Sequence, residues 1–237
     1  MRIVTIAAAA VLAVLAGLLV VRAHAEDRVV ASVPPAPIAA VEPPPVLGVI
    51  GDSFAAGTGL ADPGAQAFPG VIAARAGWRS VTTAIPGTGY VVHPPQAHPY
   101  EAAQVEAMVA ARPSVLVVEG SQNDGPAAPA AVGTAAEALF ARLKRELPRT
   151  RIVVLGPVAS NSRQAAALAG VDAAVDAAAR RAGLPYVDAL ADSWFTDAQA
   201  AMIGPDHVHP TPAGHARIAD QLGADLTRLG ALPPART

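Results

Sequence analysis

The chain has 237 residues, of which 52% are hydrophobic and 15% are charged, and its formal net charge is -2. This length and apolar content are sufficient for one domain of ordinary size with a single core. The near-neutral charge and the lack of a long basic run exclude the electrostatic footprint of a nucleic-acid-binding protein, so we expect no nucleic-acid partner.

The first 25 residues have the pattern of a targeting segment. Arg2 precedes an uncharged apolar run from Ile3 to Val21, and Ala23-His-Ala25 forms a small-residue cleavage site. The run is also long enough to span a bilayer as an anchor. We favour a signal peptide (residues 1–25) that is cleaved after Ala25 over a retained N-terminal membrane anchor. In both cases we expect Arg2 to stay on the cytoplasmic side of the membrane and the domain to be exported. A cleaved domain would be secreted, and an anchored one would be held on the outer face of the cytoplasmic membrane.

Residues 26–45 are rich in proline and predict a linker. An extended, semi-rigid tether that holds the domain away from a membrane or cell wall and a disordered leader without function fit this composition equally well. The chain contains no cysteine, so an exported domain has to draw its stability from packing and from loops restricted by proline.

From Val46 onward, apolar runs alternate with alanine-rich helical stretches, which is typical of a parallel sheet with helices on both faces. We therefore expect one domain over residues 46–237. The predicted strands are Val46–Ile50, Ser80–Ile85, Ser114–Glu119, Arg151–Leu155 and Leu184–Asp188. The predicted helices are Tyr100–Ala111, Ala128–Leu147, Arg163–Ala182 and Pro212–Leu229, the last with Thr211 as its N-cap.

A serine follows the first predicted strand. Val46–Ile50 leads into Gly51-Asp52-Ser53, which places Ser53 at the carboxyl end of a buried strand, where open α/β sheets bind their ligands. Ser53 is therefore a candidate nucleophile, with helix capping as the alternative role. We expect Asp52 to be structural and to bond the N–H groups of the turn.

Two further loops follow predicted strands, and we expect both to line the pocket. Gly87 in the first loop lets a backbone N–H approach the substrate closely, and the Asn123 amide in the second is a side-chain donor. Together with the N–H of Ser53, these groups would stabilise the oxyanion that forms when a serine attacks a carbonyl. Tyr90 is either a wall of the substrate pocket or a packing residue. Asp124 is expected to hold its loop by accepting backbone N–H bonds.

A short loop near the end of the chain carries the two other groups that a nucleophilic serine needs. In Asp206-His-Val-His209, the Asp206 carboxylate can reach Nδ1 of His209 while Nε2 faces Ser53. His207 and His215 extend this cluster and invite a metal interpretation. An H-x-H pair without a third site is a loose pattern, however, so we expect no metal. His215 is expected to pack or cap in the last helix.

The motifs Gly51-Asp-Ser53, Gly87, Asn123-Asp124 and Asp206-x-x-His209-Pro210 resemble the four blocks of the SGNH (GDSL) hydrolase family, in its order, over roughly residues 46 to 230. The resemblance implies a three-layer α/β/α sandwich with a parallel, five-stranded, flavodoxin-like sheet. It also implies Ser53 as nucleophile, His209 as base and Asp206 as its partner, with Ser53, Gly87 and Asn123 as the oxyanion hole. The implied activity is ester hydrolysis through an acyl-serine, with no cofactor.

Two positions depart from the family pattern. Phe54 stands where leucine is usual, and we expect it to change only the packing behind the nucleophile. Ser121 stands where glycine is usual two residues before Asn123, and its Cβ could tilt that loop unless Gly120 supplies the flexibility. This departure bears on rate and substrate shape more than on reaction type.

Three functions stay open at this point. The first is an exported esterase that acts on small-molecule or lipid esters. The second is an O-acetyl esterase or acyltransferase on cell-envelope polysaccharide, which the small residues Ala55, Ala56 and Gly57 favour. The third is a catalytically silent module that binds glycan or lipid. No serine lies in a G-x-S-x-G motif, so the nucleophile elbow of the α/β-hydrolases is excluded. We expect a monomer that associates with membrane or cell wall, if at all, through its N-terminus.

Overall fold

The computed structural model describes residues 43–233 apart from 96, 98, 101 and 121. The predicted signal segment, most of the predicted linker and Ser121 lie outside the described residues. Within the described part of the chain, no helix is both long and apolar enough to cross a bilayer.

Five strands form one parallel sheet in the order β2-β1-β3-β4-β5. This is the flavodoxin-like order, and it confirms the predicted fold. Central strands of such a sheet are covered on both faces, and β1 and β3 are accordingly buried along their whole length. The strands are β1 Val46–Gly51, β2 Arg79–Ala84, β3 Val115–Glu119, β4 Arg151–Leu155 and β5 Tyr186–Val187.

The last strand is shorter than the predicted Leu184–Asp188. At its start, the N–H of Leu184 closes the preceding helix by donating to Ala179 O. At its end, the Asp188 carboxylate accepts the N–H of Ala191 and turns the chain. Both ends of the apolar run are therefore used for capping and turning, which leaves Tyr186–Val187 to pair with β4.

Helices cover both faces of the sheet. Their bounds are α1 Ser53–Ala56, α2 Pro63–Gln66, α3 Phe68–Ala76, α4 Ala102–Ala111, α5 Pro129–Glu146, α6 Ser162–Ala182 and α7 Pro212–Arg228. The predicted cap of the last helix is confirmed, since Thr211 Oγ1 accepts the N–H of Gly214 and Pro212 occupies the first position. The helices α1 to α3 were not predicted.

Successive side chains along a strand point to opposite faces of the sheet, which divides the core into two layers. Leu47 and Val49 pack with α3 and α7, whereas Leu116 and Val118 pack with α4, α5 and α6. Each fully buried side chain of this size contributes about 1.5–3 kcal/mol. These two layers and the sheet between them make the three-layer α/β/α sandwich.

The carboxyl ends of β1 and β2 are tied together by a buried amide. Gln104, on α4, donates through Nε2 to the carbonyl oxygens of Gly51 at 3.2 Å and Thr83 at 2.6 Å. Because Gly51 ends β1, these bonds fix the point at which the chain leaves the sheet towards Ser53.

Candidate active site

Ser53 is the first residue of the short helix α1, directly after the turn that ends β1. The helix is capped by Asp52, whose Oδ1 accepts the N–H of Phe54 at 2.8 Å. Asp52 therefore has the structural role predicted for it. Because Asp52 caps this helix, Ser53 is not its cap. Only 5% of Ser53 is exposed, and the residue lines the pocket described below.

The Asp206–His209 loop adopts the geometry of a paired acid and base. Oδ2 of Asp206 lies 2.6 Å from Nδ1 of His209, while its Oδ1 accepts the N–H groups of Val208 and His209, each at 3.0 Å. The bond to His209, followed by the two backbone N–H bonds, holds the pKa of Asp206 well below its usual range. A carboxylate at Nδ1 requires the proton to lie on that nitrogen, which leaves Nε2 as the basic nitrogen.

The two predicted donors follow β2 and β3. Gly87 has φ of +78°, a conformation that favours glycine. Asn123 lies in the 3₁₀ turn Gln122–Asp124, and its Nδ2 donates to Asp52 Oδ2 at 3.1 Å and to the Thr88 carbonyl at 2.9 Å. The Asn123 amide therefore joins the turn at residues 51–53, here called the nucleophile turn, to the loop that contains Gly87.

Asp124 organises the loop that follows Gly87. Its fully buried carboxylate accepts the N–H groups of Tyr90 at 2.7 Å, Val91 at 3.1 Å and Val92 at 3.0 Å. Burial raises the pKa of Asp124, and these three bonds oppose that rise. The predicted role as an acceptor of backbone N–H bonds is confirmed, but the loop held in this way is the preceding one.

One pocket of about 400 Å³ brings Ser53, Gly87, Asn123 and His209 together at the carboxyl edge of the sheet. They come from four separate segments, and the sheet order brings those segments to one place. A larger groove of about 560 Å³ between α3 and α7 is lined by none of them. The remaining residues that line the smaller pocket are Thr58, Pro86, Gln122, Gln164 and Val208.

Tyr90 is not among the residues that line this pocket. Its ring is buried, with edge contacts to Tyr100 at 5.3 Å and Phe140 at 6.0 Å between centroids. Burial raises the pKa of its hydroxyl well above the usual value. The structure thus places Tyr90 in the core, as the packing residue that was the alternative to a pocket wall.

His215 also has a packing role. It is fully buried on α7, stacks on Phe68 with ring centroids 6.3 Å apart, and accepts the Phe68 N–H at Nδ1 over 3.4 Å. Burial, with a smaller contribution from His209, lowers its pKa to about 4. Across the described residues, no group of three or more His, Cys, Asp or Glu side chains could hold a metal ion.

Sequence reasoning missed Gln164, which lies in the first turn of α6 and lines the pocket. Its side chain accepts the N–H of Ser160 at 2.6 Å and donates to Oε1 of Gln122. Ser160 in turn donates through Oγ to the Val208 carbonyl at 2.6 Å, next to His209. The sequence does contain a signal for this position. Asn161 is followed three residues later by Gln164, a pattern that marks the start of a helix after a strand.

The chain is similar to known proteins in sequence and in fold. The profile of the GDSL-like lipase/acylhydrolase family matches residues 49–217. A GDSL lipase of Mycobacterium tuberculosis strain H37Rv is 29% identical over 184 residues, which cover 74% of this chain and 79% of that protein. The solved structure of TesA superposes with a TM-score of 0.63 at 22% identity, over 78% of this chain and 99% of that chain. A family two carbohydrate esterase from Clostridium thermocellum, in complex with cellohexaose, superposes with a TM-score of 0.63 at 20% identity, over 82% of this chain and 68% of that one.

Proposed function

The chain belongs to the GDSL-like lipase/acylhydrolase family and is an ester-hydrolysing enzyme, and from this premise we propose that it cleaves carboxylic esters through a covalent acyl-serine intermediate. The observation that carries the proposal is the single pocket shared by Ser53, Gly87, Asn123 and His209. Asp206, at 2.6 Å from Nδ1 of His209, completes the set of groups that an activated serine needs.

Acylation begins when Nε2 of His209 takes the proton from Ser53 Oγ. Oγ then forms a bond to the carbonyl carbon of the ester, and the carbonyl oxygen becomes an oxyanion. The Asp206 carboxylate stabilises the imidazolium that forms. When the tetrahedral intermediate collapses, the ester C–O bond breaks and the alcohol leaves with the proton from His209.

The oxyanion is stabilised by the N–H groups of Ser53 and Gly87 and by Nδ2 of Asn123. One such donor is worth about 2.7–4 kcal/mol in the transition state. Both hydrogens of the Asn123 amide already have acceptors, in Asp52 and Thr88. The oxyanion therefore shares one of these hydrogens, while the other bond keeps the amide in place.

Deacylation repeats the same chemistry with water. His209 takes a proton from a water molecule, the resulting hydroxide attacks the acyl carbon, and the bond to Ser53 Oγ breaks as Oγ regains the proton. The products are the carboxylic acid and the free enzyme. This cycle requires no cofactor.

A second candidate, O-acetyl ester cleavage on glycans, is favoured by the lining of the pocket. Thr58, Gln122 and Gln164 offer uncharged hydrogen-bonding groups suited to sugar hydroxyls. The structural similarity to a carbohydrate esterase that binds cellohexaose is consistent with this candidate. We also propose that the enzyme works outside the cytoplasm, on the strength of the apolar segment between Arg2 and Ala25.

The first experiment treats the purified protein with a fluorophosphonate probe and maps the modified residue by mass spectrometry. We expect labelling on Ser53, its loss in Ser53→Ala, and a strong reduction in His209→Ala. Ser80→Ala and His207→Ala are matched controls, because both side chains are exposed and neither lines the pocket. A folded wild-type protein that is not labelled, or is labelled equally in Ser53→Ala, would refute the acyl-serine mechanism.

Substrate class is decided by comparing p-nitrophenyl esters of increasing acyl length with an acetylated oligosaccharide. We expect acetyl and other short acyl groups to be cleaved faster than octanoyl. A clear preference for chains longer than octanoyl would rule out the O-acetyl candidate and leave the general esterase.

A further inference from the structure

Glu119 is a buried carboxyl group that the mechanism above does not use. It ends β3, the strand next to β1, and only 2% of it is exposed. Among the described residues, the buried polar and charged side chains include no lysine or arginine, so no buried cation is present to pair with it. A buried carboxyl without a cation is costly unless other groups compensate for it, which makes its position informative.

Its contacts lie in the turn that carries the nucleophile. Oε2 of Glu119 accepts the N–H of Asp52 at 3.3 Å, and the backbone N–H of Ala55 also faces the carboxyl. These two N–H groups lie on either side of Ser53 in the sequence. Gly51 leaves room for the Glu119 carboxyl, because a Cβ at position 51 would lie only 2.3 Å from Oε2. The carboxyl of Glu119 therefore occupies a notch directly behind the turn.

The surroundings of Glu119 favour an uncharged carboxyl. Among the described residues, the titratable groups that face it are Asp52, from the turn after β1, and the hydroxyls of Tyr90 and Tyr100, from the segment between β2 and α4. None of them is a cation. Burial, and then the neighbouring charge of Asp52, raises the pKa of Glu119 well above its usual value.

We propose that Glu119 is a positioning residue for the nucleophile turn, which it holds as an uncharged hydrogen-bonding group through the N–H of Asp52. This inference rests on the proposed acyl-serine mechanism. Asp52 uses Oδ1 to cap α1 and Oδ2 to orient the Asn123 amide. By fixing the backbone of Asp52, Glu119 sets both the N–H of Ser53 and the direction of the Asn123 donor. A second negative charge at Glu119 would repel the Asp52 carboxylate and disturb both.

The test compares Glu119→Gln with Glu119→Met in the full-length protein. Glutamine keeps the size, the acceptor oxygen and the neutrality of the proposed state, whereas methionine keeps the length but offers the Asp52 N–H only a weakly accepting sulfur. We expect Glu119→Gln to retain kcat within about threefold of the wild type on a short-chain ester. We expect Glu119→Met to lose at least about tenfold in kcat with KM little changed.

Stability gives a readout that does not depend on activity. The unfolded chain ionises Glu119 above pH 4.5, the ordinary value, while the folded chain does so only at higher pH. The stability of the wild type relative to Glu119→Gln is therefore greatest below pH 4.5 and falls as pH rises above it. We expect the melting temperature of Glu119→Gln to rise relative to the wild type between pH 5 and pH 8.

Three results would overturn the proposal. One is a loss of kcat in Glu119→Gln as large as that in Glu119→Met, because the charge would then be required. Another is wild-type kcat in a folded Glu119→Met protein. The third is an equal pH dependence of melting temperature in the wild type and Glu119→Gln. Fluorophosphonate labelling of the wild type separates the two proposals, since failure of labelling removes the acyl-serine mechanism and leaves the stability comparison to decide the state of Glu119.

Discussion

Acid is expected to destabilise the domain in part through His215. This ring is buried between α7 and α3, stacks on Phe68, and accepts the Phe68 N–H at Nδ1. Its Nε2 is buried without a hydrogen-bond partner among the described residues. A proton added to Nδ1 would face a donor rather than an acceptor, and the charge would lie in an apolar layer. The folded state therefore favours the neutral ring.

The size of the effect follows from the two pKa values. In the unfolded chain the imidazole titrates near 6.5, and in the folded chain near 4. Since the unfolded state takes up the proton first, the stability associated with His215 is fully present above pH 6.5 and is lost as the pH falls towards 4. The full loss is about 3 kcal/mol, of which about 2 kcal/mol is lost by pH 5.

Urea unfolding at pH 8 and pH 5 measures this loss in the wild type and in His215→Gln. The glutamine oxygen can still accept the Phe68 N–H but does not titrate. We expect the variant to be less stable at pH 8 because it loses ring packing, and to lose about 2 kcal/mol less than the wild type on moving to pH 5. His207→Gln, in the exposed loop, is the control and should follow the wild type. Equal pH dependence in the wild type and His215→Gln would refute the reasoning.

Three further substitutions test the site. Asn123→Ala should lower kcat about 10²–10³-fold on a short-chain ester, and an effect confined to KM would contradict its oxyanion role. Asp206→Asn should lower kcat, but by less than the roughly 10⁴-fold typical of a buried triad carboxylate. The Asp206 side chain is 50% exposed, so solvent screens its charge. An unchanged kcat in steady-state kinetics would exclude Asp206 as the partner of the base. Gly51→Ala should lower the free energy of unfolding by about 1–3 kcal/mol. The new Cβ would lie 2.3 Å from Glu119 Oε2 and 2.7 Å from Ala55 Cβ. A variant that melts at the wild-type temperature would show that the space around the Glu119 carboxyl is not tightly packed.

The central strands were predictable because their signal is local. Val46–Gly51, Val115–Glu119 and Arg151–Leu155 are nearly continuous apolar runs, and each observed strand lies within one residue of its predicted bounds at either end. The helices between Ser53 and Ala76 were missed, because they are short and their many alanine, glycine and proline residues show no clear period. Packing against β1, β2 and α7, rather than intrinsic propensity, stabilises helices of this length.

The same contrast holds within the candidate site. The turn chemistry of Asp52, the spacing of Asp206 and His209 and the cap at Thr211 involve residues a few positions apart, and the structure has each of these local contacts. Tyr90 had two open roles in the sequence. Only its contacts with Tyr100, farther along the same segment, and with Phe140 on α5 place it in the core.

The sequence by itself determined the order of the motifs, the α/β class and the residue types available for ester chemistry, because strand periodicity, turns and caps depend on neighbours along the chain. Only the tertiary structure decided which distant groups meet. It added Gln164 to the pocket, left His215 neutral in an apolar layer, and placed the carboxyl of Glu119 behind the nucleophile turn. Burial and through-space electrostatics depend on all the elements that surround a group, so these properties exist only once the layers have packed.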